Sequence, residues 1–376
     1  MFELDEKYGA LASEARDLAE RMRPYADEAD AMLTAHPTMA EALRASGLPE
    51  LCVTTEFGGR DERIDTLAIT VVREQLMGVS AHLDGLFGMQ GIGSYAVSVG
   101  GSEGVRQAWL PRVATLDAIA ALALTEPEVG SDLRAIRTTL EVRGDCLVVN
   151  GRKSFITNAG EAAFYSVLCR EGEGWSMVFV PADTPGVSVE VGPSLIAPHI
   201  MGEVTFDDVE VPADHRIGEP GTAFRLMLST LATFRVSVAG AAVGLAQAAL
   251  DEAVRHTNQR EQFGQKLSEL GPIPHMIGTS WTEIEAARLL TYRAAELAAQ
   301  DALGNLDHSS MAKVAATETA GRVTDRCVQM MGRFGLVAGS TIERLYRNAR
   351  PMRIYEGGNE VLTGQLSKRL AKRTGL

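Results

Sequence analysis

Two segments of this 376-residue chain hold side chains whose types and order suit chemistry as well as packing. The first runs Leu122-Ala-Leu-Thr125-Glu126-Pro-Glu-Val-Gly130-Ser131-Asp132-Leu-Arg-Ala135. It reads as a strand that ends in Thr, Glu and Pro and then turns through Gly-Ser-Asp. Hydroxyls and free backbone N–H groups at a strand end can hold a flat heterocycle or a phosphate; a capped turn is the plain reading of the same residues. The second runs Arg350-Pro-Met-Arg-Ile-Tyr355-Glu356-Gly357-Gly358-Asn359-Glu360. Here a carboxylate follows an apolar Ile-Tyr shoulder and precedes two glycines and a new helix. The glycines let a ligand approach the backbone, and the helix N-terminus offers N–H groups and positive potential. A water-poor setting raises a carboxylate's proton affinity, which suits a base that must take a carbon-bound proton. An ordinary helix-capping loop would use the same types.

Three other patterns compete for attention. Gly100-Gly101-Ser102-Glu103-Gly104 matches G-x-S-x-G, and the strand-like run Ala96–Val99 precedes it. A serine hydrolase would also need an acid and a histidine set in alternating β and α units, and that alternation is missing, so a turn is expected. Gly91-x-Gly93-x-x-Ala96 resembles a dinucleotide fingerprint, but no strand leads into it and no acid follows at the required distance. The seven histidines show no metal-ligand spacing, so no metal is expected.

The elements that must position these residues follow an α, β, α order. Leu11, Ala15, Leu18, Ala19 and Met22 recur at helical spacing up to Pro24, and residues 39–46, 61–80 and 103–110 read as further helices, with Pro111 expected to stop the last. From Ala118 the texture changes to short β-branched runs at 138–142, 147–149, 163–169, 176–180, 187–191 and 203–211, separated by turn residues, which predicts a small antiparallel barrel or sandwich. Residues 224–256, 276–300, 309–331 and 359–372 read as long helices of a bundle. The expected domains are 1–118, 119–222 and 223–376. The 36 basic and 49 acidic residues leave a net charge of −13, which argues against nucleic acid and anionic membranes because phosphates would be repelled. No uninterrupted apolar run is long enough to span a membrane. Cys52, Cys146, Cys169 and Cys327 form no C-x-x-C pair, and the acidic N-terminus lacks a leader pattern, so a reducing, cytoplasmic compartment is expected. Lys368, Arg369, Lys372 and Arg373 suit the end of a C-terminal helix.

The order of motifs resembles the acyl-CoA dehydrogenase family over nearly the whole chain. The resemblance rests on Gly101-Ser102-Glu103 through Trp109-Leu110-Pro111, Leu124-Thr125-Glu126-Pro127 with Gly130-Ser131-Asp132, and Asn150-Gly151-x-Lys153-x-Phe155-Ile156-Thr157-Asn158. It continues through Phe179-Val180-Pro181, Phe206-Asp207-Asp208-Val209-x-Val211-Pro212, Gly240-Ala-Ala-Val-Gly244, Arg260-x-Gln262-Phe263-Gly264, Gln329-x-x-Gly332-x-x-Gly335, and Glu343-Arg344-x-x-Arg347-Asn348-Ala349-Arg350 into Ile354-Tyr355-Glu356-Gly357. The fold it implies is an N-terminal helical domain, a central antiparallel β-barrel and a C-terminal four-helix bundle, an α+β chain.

The resemblance implies non-covalent FAD and oxidation of an acyl thioester, acyl-CoA or carrier-bound, to the 2,3-enoyl thioester. Glu356 matches the base that takes the α-proton while hydride leaves to flavin N5. The thioester carbonyl would be held by the flavin ribityl chain and the N–H of this same Glu. One subgroup places its base just before a helical Arg, here Arg235; that residue is Phe234, so Glu356 is the single candidate. Leu124, Thr125, Gly130, Ser131, Phe155 and Thr157 match flavin contacts, with Ser131, Arg235, Tyr355 and Gly357 at the substrate. Arg260, Gln262 and Phe263 match residues that reach the FAD of a neighbouring subunit, Gln329, Gly332 and Gly335 match the dinucleotide cradle, and Arg333, Gly358 and Glu360 stand at further cofactor-binding positions. A cofactor shared across subunits implies a homo-oligomer, a tetramer or a dimer, and electron-transfer flavoprotein is the implied acceptor. The chain departs from the pattern in Arg333 for Gly, Gly358 for Thr, Phe155 for Trp, Leu122 for an aromatic, and a segment 193–204 without the usual Gly-x-Arg. That last departure keeps a carrier-protein thioester open beside free coenzyme A. Same-fold monooxygenation or elimination is the alternative chemistry, which Glu356 disfavours.

Overall fold

Helix α1 (Glu6–Met22) buries Leu11, Ala15, Leu18, Ala19 and Met22, the face its spacing predicts. Helices α2 (Ala26–Ala31), α3 (Pro37–Ser46), α4 (Thr66–Met77), α5 (Ala81–Gly100) and α6 (Glu103–Ala114) follow. The computed structural model describes residues 5–197 and 199–374. Two local expectations are corrected. The run Ala96–Val99 is the end of α5, not a strand, because Ala96 and Val97 sit on its buried face. Pro111 does not stop α6. It removes one backbone donor, but Leu110, Val113 and Ala114 are buried, and their burial carries the helix another turn.

The β block is one eight-stranded sheet ordered β6-β7-β3-β2-β4-β5-β8, with β1 paired to β4. Its strands are β1 (Ala120–Ala123), β2 (Thr139–Arg143), β3 (Cys146–Thr157), β4 (Phe164–Glu171), β5 (Gly174–Pro181), β6 (Val187–Val191), β7 (Met201–Pro212) and β8 (Arg216–Ile217). Most pairs are antiparallel; β1 and β2 run parallel to β4. Helix α7 (Ala223–Gln259) leads to a small hairpin, β9 (Glu261–Gln262) and β10 (Gln265–Lys266), then to α8 (Ile273–Gln300), α9 (Leu306–Met331), α10 (Thr341–Ala349) and α11 (Asn359–Arg373).

Packing divides the chain into two compact units, and the helical stretch before Ala118 contributes to both. One unit combines residues up to Asp27, Thr66–Ala81 and everything from Arg235. Its core is rich in small side chains of α7, α8 and α9, such as Ala239, Ala242, Ala246, Ala295, Ala316 and Ala320. Gly240 and Gly244 let α7 lie against α4: a Cβ at Gly244 would stand 1.8 Å from the Glu74 carbonyl oxygen, and one at Gly240 2.5 Å from that of Thr70. Helix α7 is long and apolar enough to cross a membrane, but 78% of its most apolar window is buried inside the protein. The second unit holds Glu28–Asp65 and His82–Phe234, with the sheet and α5 and α6. Aromatic contacts among Trp109, Phe164 and Phe179 join α6 to the sheet.

Candidate active site

In the helical unit, Glu356 lies in the turn between α10 and α11 with φ +52°, and Gly357 follows at φ +103°. Two successive left-handed residues, the first not glycine, hold only where the surroundings over-determine them. Two buried cations do so here. Arg235, on α7 and 4% exposed, donates from Nε to the Glu356 carbonyl at 2.9 Å and from Nη1 to Ser310 Oγ at 3.2 Å. Burial pulls its guanidinium below the ordinary value, and the Glu356 charge pulls back. Lys313, on α9 and fully buried, donates to the Gly357 carbonyl at 2.8 Å and to Asn359 Oδ1 at 2.9 Å. Asn359 Nδ2 donates in turn to Thr317 Oγ1 and Glu318 Oε1. Ile354 and Tyr355 are exposed, and within this unit the turn is held by two cations and packs at Gly357 against Leu362. Gly358 is the N-cap of α11 and Glu360 lies in its first turn. Glu356, Gly357, Gly358, Arg235 and Glu360 are thus brought to one place.

In the sheet unit, Leu124 and Thr125 follow β1, and their carbonyls are held from β3. Lys153 Nζ donates to Leu124 O at 3.0 Å, and the Ser154 N–H to Thr125 O at 2.9 Å. Lys153 also pairs with Glu126 at 2.9 Å, both side chains buried. The other duty of Glu126 is local: its carboxylate accepts the N–H groups of Arg137 and Thr138 and so closes the loop that carries Gly130 and Ser131, both exposed. Burial pushes the Glu126 carboxyl up, but Thr138 and Lys153 outweigh it and leave it below the ordinary value. Pairing of β3 with β7 shifts register between Lys153 and Ile156. That bulge leaves Phe155 at φ +54° and 53% exposed, two residues before half-buried Thr157.

A third group gathers at Phe334 in the helical unit. The guanidinium groups of Arg260 and Arg333 lie 5.5 and 5.1 Å from its ring centroid, and His256 packs beside it. Arg333 therefore joins Arg260 rather than standing alone in solvent, and both lie next to exposed Gln262, Phe263, Gln329 and Gly332 in sequence. Phe263 is 94% exposed at the tip of the β9–β10 hairpin.

Lys313, Asn359, Ser310 and Phe334 carry no functional signature in the sequence, where Glu126 and Lys153 stand out only as members of longer motifs. The signal for Lys313 was a lone cation in a run of small residues, Ser309-Ser310-Met-Ala-Lys313-Val-Ala-Ala, which alone reads as a solvated position. The competing patterns resolve into packing. Gly91 lies inside α5 against the ring of Phe234, and Gly93 against Ala120. Ser102 is the N-cap of α6, its Oγ accepting the Val105 N–H. Ser102→Ala is expected to remove about 1 kcal/mol of stability and to leave turnover unchanged; a large loss of activity in a folded variant would restore the nucleophile reading.

Three family models match in succession: the acyl-CoA dehydrogenase N-terminal domain over residues 5–117, the middle domain over 121–209 and the C-terminal domain over 221–371. The cyclohex-1-ene-1-carbonyl-CoA dehydrogenase of Geobacter metallireducens is 37% identical over 371 residues, 96% of this chain and 97% of that protein. The human mitochondrial short-chain specific acyl-CoA dehydrogenase is 33% identical over 375 residues, 96% of this chain and 89% of that protein. The solved structure of butyryl-CoA dehydrogenase from Megasphaera elsdenii matches at a TM-score of 0.93 and 28% identity, covering 98% of this chain and 99% of that one. Motif order, fold and full-length likeness agree: the chain belongs to the acyl-CoA dehydrogenase family.

Proposed function

We propose that this FAD-dependent oxidoreductase of the acyl-CoA dehydrogenase family oxidises a short or alicyclic acyl-CoA between C2 and C3, with Glu356 as the base. The observation that supports this most is the turn itself: a carboxylate in left-handed backbone, tied through its own carbonyl to a buried arginine. A plain helix cap has no need of that strain, which costs on the order of 1–3 kcal/mol. The donor set also fits FAD. An outward-turned Phe155 offers an apolar face for a ring, and Arg260 with Arg333 on Phe334 offers two cations for a pyrophosphate in a chain of net charge −13.

When bound, FAD supplies the hydride acceptor. Leu124, Thr125, Gly130, Ser131, Phe155 and Thr157 hold its ring end; Arg260, Gln262, Phe263, Gln329, Gly332, Arg333, Gly358 and Glu360 hold its dinucleotide end. The chain's own chemical step is the proton transfer: the C2–H bond breaks and the proton passes to the Glu356 carboxylate. Arg235 fixes the backbone of that carboxylate, and Ser131, Tyr355 and Gly357 line the thioester. Phe234 precedes Arg235 and is no base, which leaves the proton to Glu356. The proposed range follows the ring and chain size of the alicyclic and short-chain thioesters named for the two relatives, with the ring saturated at C2 and C3 so that a C2 proton is present. Segment 193–204 borders the thioester's carrier; Pro198 within it lies outside the described residues. Domain boundaries at 118/119 and 222/223, a homotetramer or dimer that shares FAD through exposed Phe263, a cytoplasmic site with four free cysteines, and electron-transfer flavoprotein as acceptor complete the reading.

Purified protein is expected to be yellow, with FAD released on denaturation. Protein that is colourless and takes up no FAD would sink the cofactor. Without oxygen, butanoyl-CoA or cyclohexane-1-carbonyl-CoA, each with a hydrogen at C2, should bleach the flavin. Bleaching only by thioesters on acyl carrier protein would replace the coenzyme A assignment.

A further inference from the structure

We propose that Lys313 is a positioning residue for the base: its buried ammonium clamps the Gly357 carbonyl to the first residue of α11 and so sets where the Glu356 carboxylate stands. The inference rests on the reading of Glu356 as base and adds a second control point to it.

The argument is geometric. The turn at Glu356 and Gly357 is left-handed at both residues, and each of the two carbonyls is tied to a different cation from a different helix. Arg235 reaches the first from α7 and Lys313 the second from α9. Lys313 also holds Asn359 Oδ1, and Asn359 is fixed by Thr317 and Glu318, so one ammonium joins the turn, the start of α11 and the wall of α9. A Cβ at Gly357 would lie 3.1 Å from Leu362 Cδ2 and 3.4 Å from Arg235 Nη2, so the backbone is also confined on the side where a side chain would project. If the clamp opens, the turn's two φ angles lose one of their two tethers, and the carboxylate beside them swings. Displacing a catalytic group by about 1 Å can lower a rate by roughly 10²-fold.

The chemistry of the clamp is unusual, because the two atoms that Lys313 touches are neutral, a carbonyl and an amide oxygen. Its charge is balanced at longer range. Burial brings the ammonium down to about 8, Arg235 on α7 pushes the same way, and Glu356 in the turn, Glu360 on α11 and Glu318 on α9 hold the proton on. Below about pH 8 the ammonium is charged and the clamp is closed; above it the neutral amine binds both oxygens more weakly and no longer attracts Glu356. A purely structural lysine would set stability without tying turnover to that ionisation.

The test compares the holoenzyme with Lys313→Arg, Lys313→Met and Glu356→Gln. In the unsubstituted enzyme kcat is expected to fall as pH rises through about 8. Lys313→Arg, whose guanidinium stays charged, should move that limb upward by at least about one unit. Lys313→Met should lower kcat roughly 10²-fold below about pH 8, with KM little changed, FAD still bound and the limb gone, so that the two enzymes converge above it. Amide exchange in the peptide spanning 351–362, read without substrate, should accelerate in Lys313→Met. A limb that stays put in Lys313→Arg, or a kcat in Lys313→Met equal to the unsubstituted value below about pH 8, overturns the proposal. If both Lys313 variants fail to fold, the unsubstituted enzyme decides: exchange in 351–362 that rises through about pH 8 supports the clamp, and exchange that only follows the ordinary base-catalysed slope overturns it. Glu356→Gln separates the two readings. Activity surviving there removes Glu356 as base whatever Lys313 does, whereas an inactive Glu356→Gln beside an unaffected Lys313→Met removes only the clamp.

Discussion

Glu356→Gln is expected to fold, to bind FAD and to lose turnover of a saturated acyl-CoA by about 10²–10⁴-fold, the scale of a general base. The amide is nearly isosteric with the carboxylate and leaves the Glu356 carbonyl on Arg235, so the turn keeps its tether. What disappears is the oxygen proposed to receive the C2 proton. Stopped-flow bleaching with butanoyl-CoA under anaerobic conditions reads this directly, because binding and release are then separate from the first chemical step. Wild-type bleaching in the folded variant would remove Glu356 from the mechanism. Arg235 cannot stand in for it, since a buried guanidinium stays protonated even where burial lowers its proton affinity.

Lys153→Met should have the largest effect on stability. It leaves the Glu126 carboxylate buried without its cation, a change that costs about 3–5 kcal/mol, and it also frees the Leu124 carbonyl. Thr125 lies between those two partners, so FAD affinity should fall with stability in the sheet unit. The double variant Lys153→Met with Glu126→Gln should recover much of the loss, because no buried charge then remains. Denaturant melts followed by tryptophan emission, with FAD titrations of the folded protein, measure both; Trp109 and Trp175 belong to this unit. A single Lys153→Met variant as stable as the parent would show the pair to be idle. The pH dependence has a definite sign. Glu126 is held below its ordinary value, so its contribution is complete above the usual carboxylate range and disappears as pH falls through the lowered value. Acid should therefore weaken the loop that carries Gly130 and Ser131, and Lys153→Met should move that weakening to higher pH.

Much of this protein was legible in the residues alone. The change from helical spacing to β-branched runs at Ala118 and back near Phe224 reports local backbone preference, which needs no partner to be read. The order of motifs then identifies the family, and that resemblance implies roles for Glu356, Arg235, Thr125 and Phe155. Local reading failed where one apolar run fits two periods: Ala96–Val99 is too short to tell strand from helix, and burial against the rest of α5's neighbours decided for helix.

Tertiary structure alone decided which polar groups are buried and what they hold. Lys313 and Gly357 are 44 residues apart, Lys153 and Glu126 27, and no periodicity links them. A lysine among alanines looks solvated until a second helix and a turn close over it. Arg260 and Arg333 likewise became one cationic site only through Phe334. The physical reason is common to all three. The preference of a backbone segment is set by its own residues, whereas the placement of a charge depends on the desolvation and the acceptors that distant parts of the chain supply.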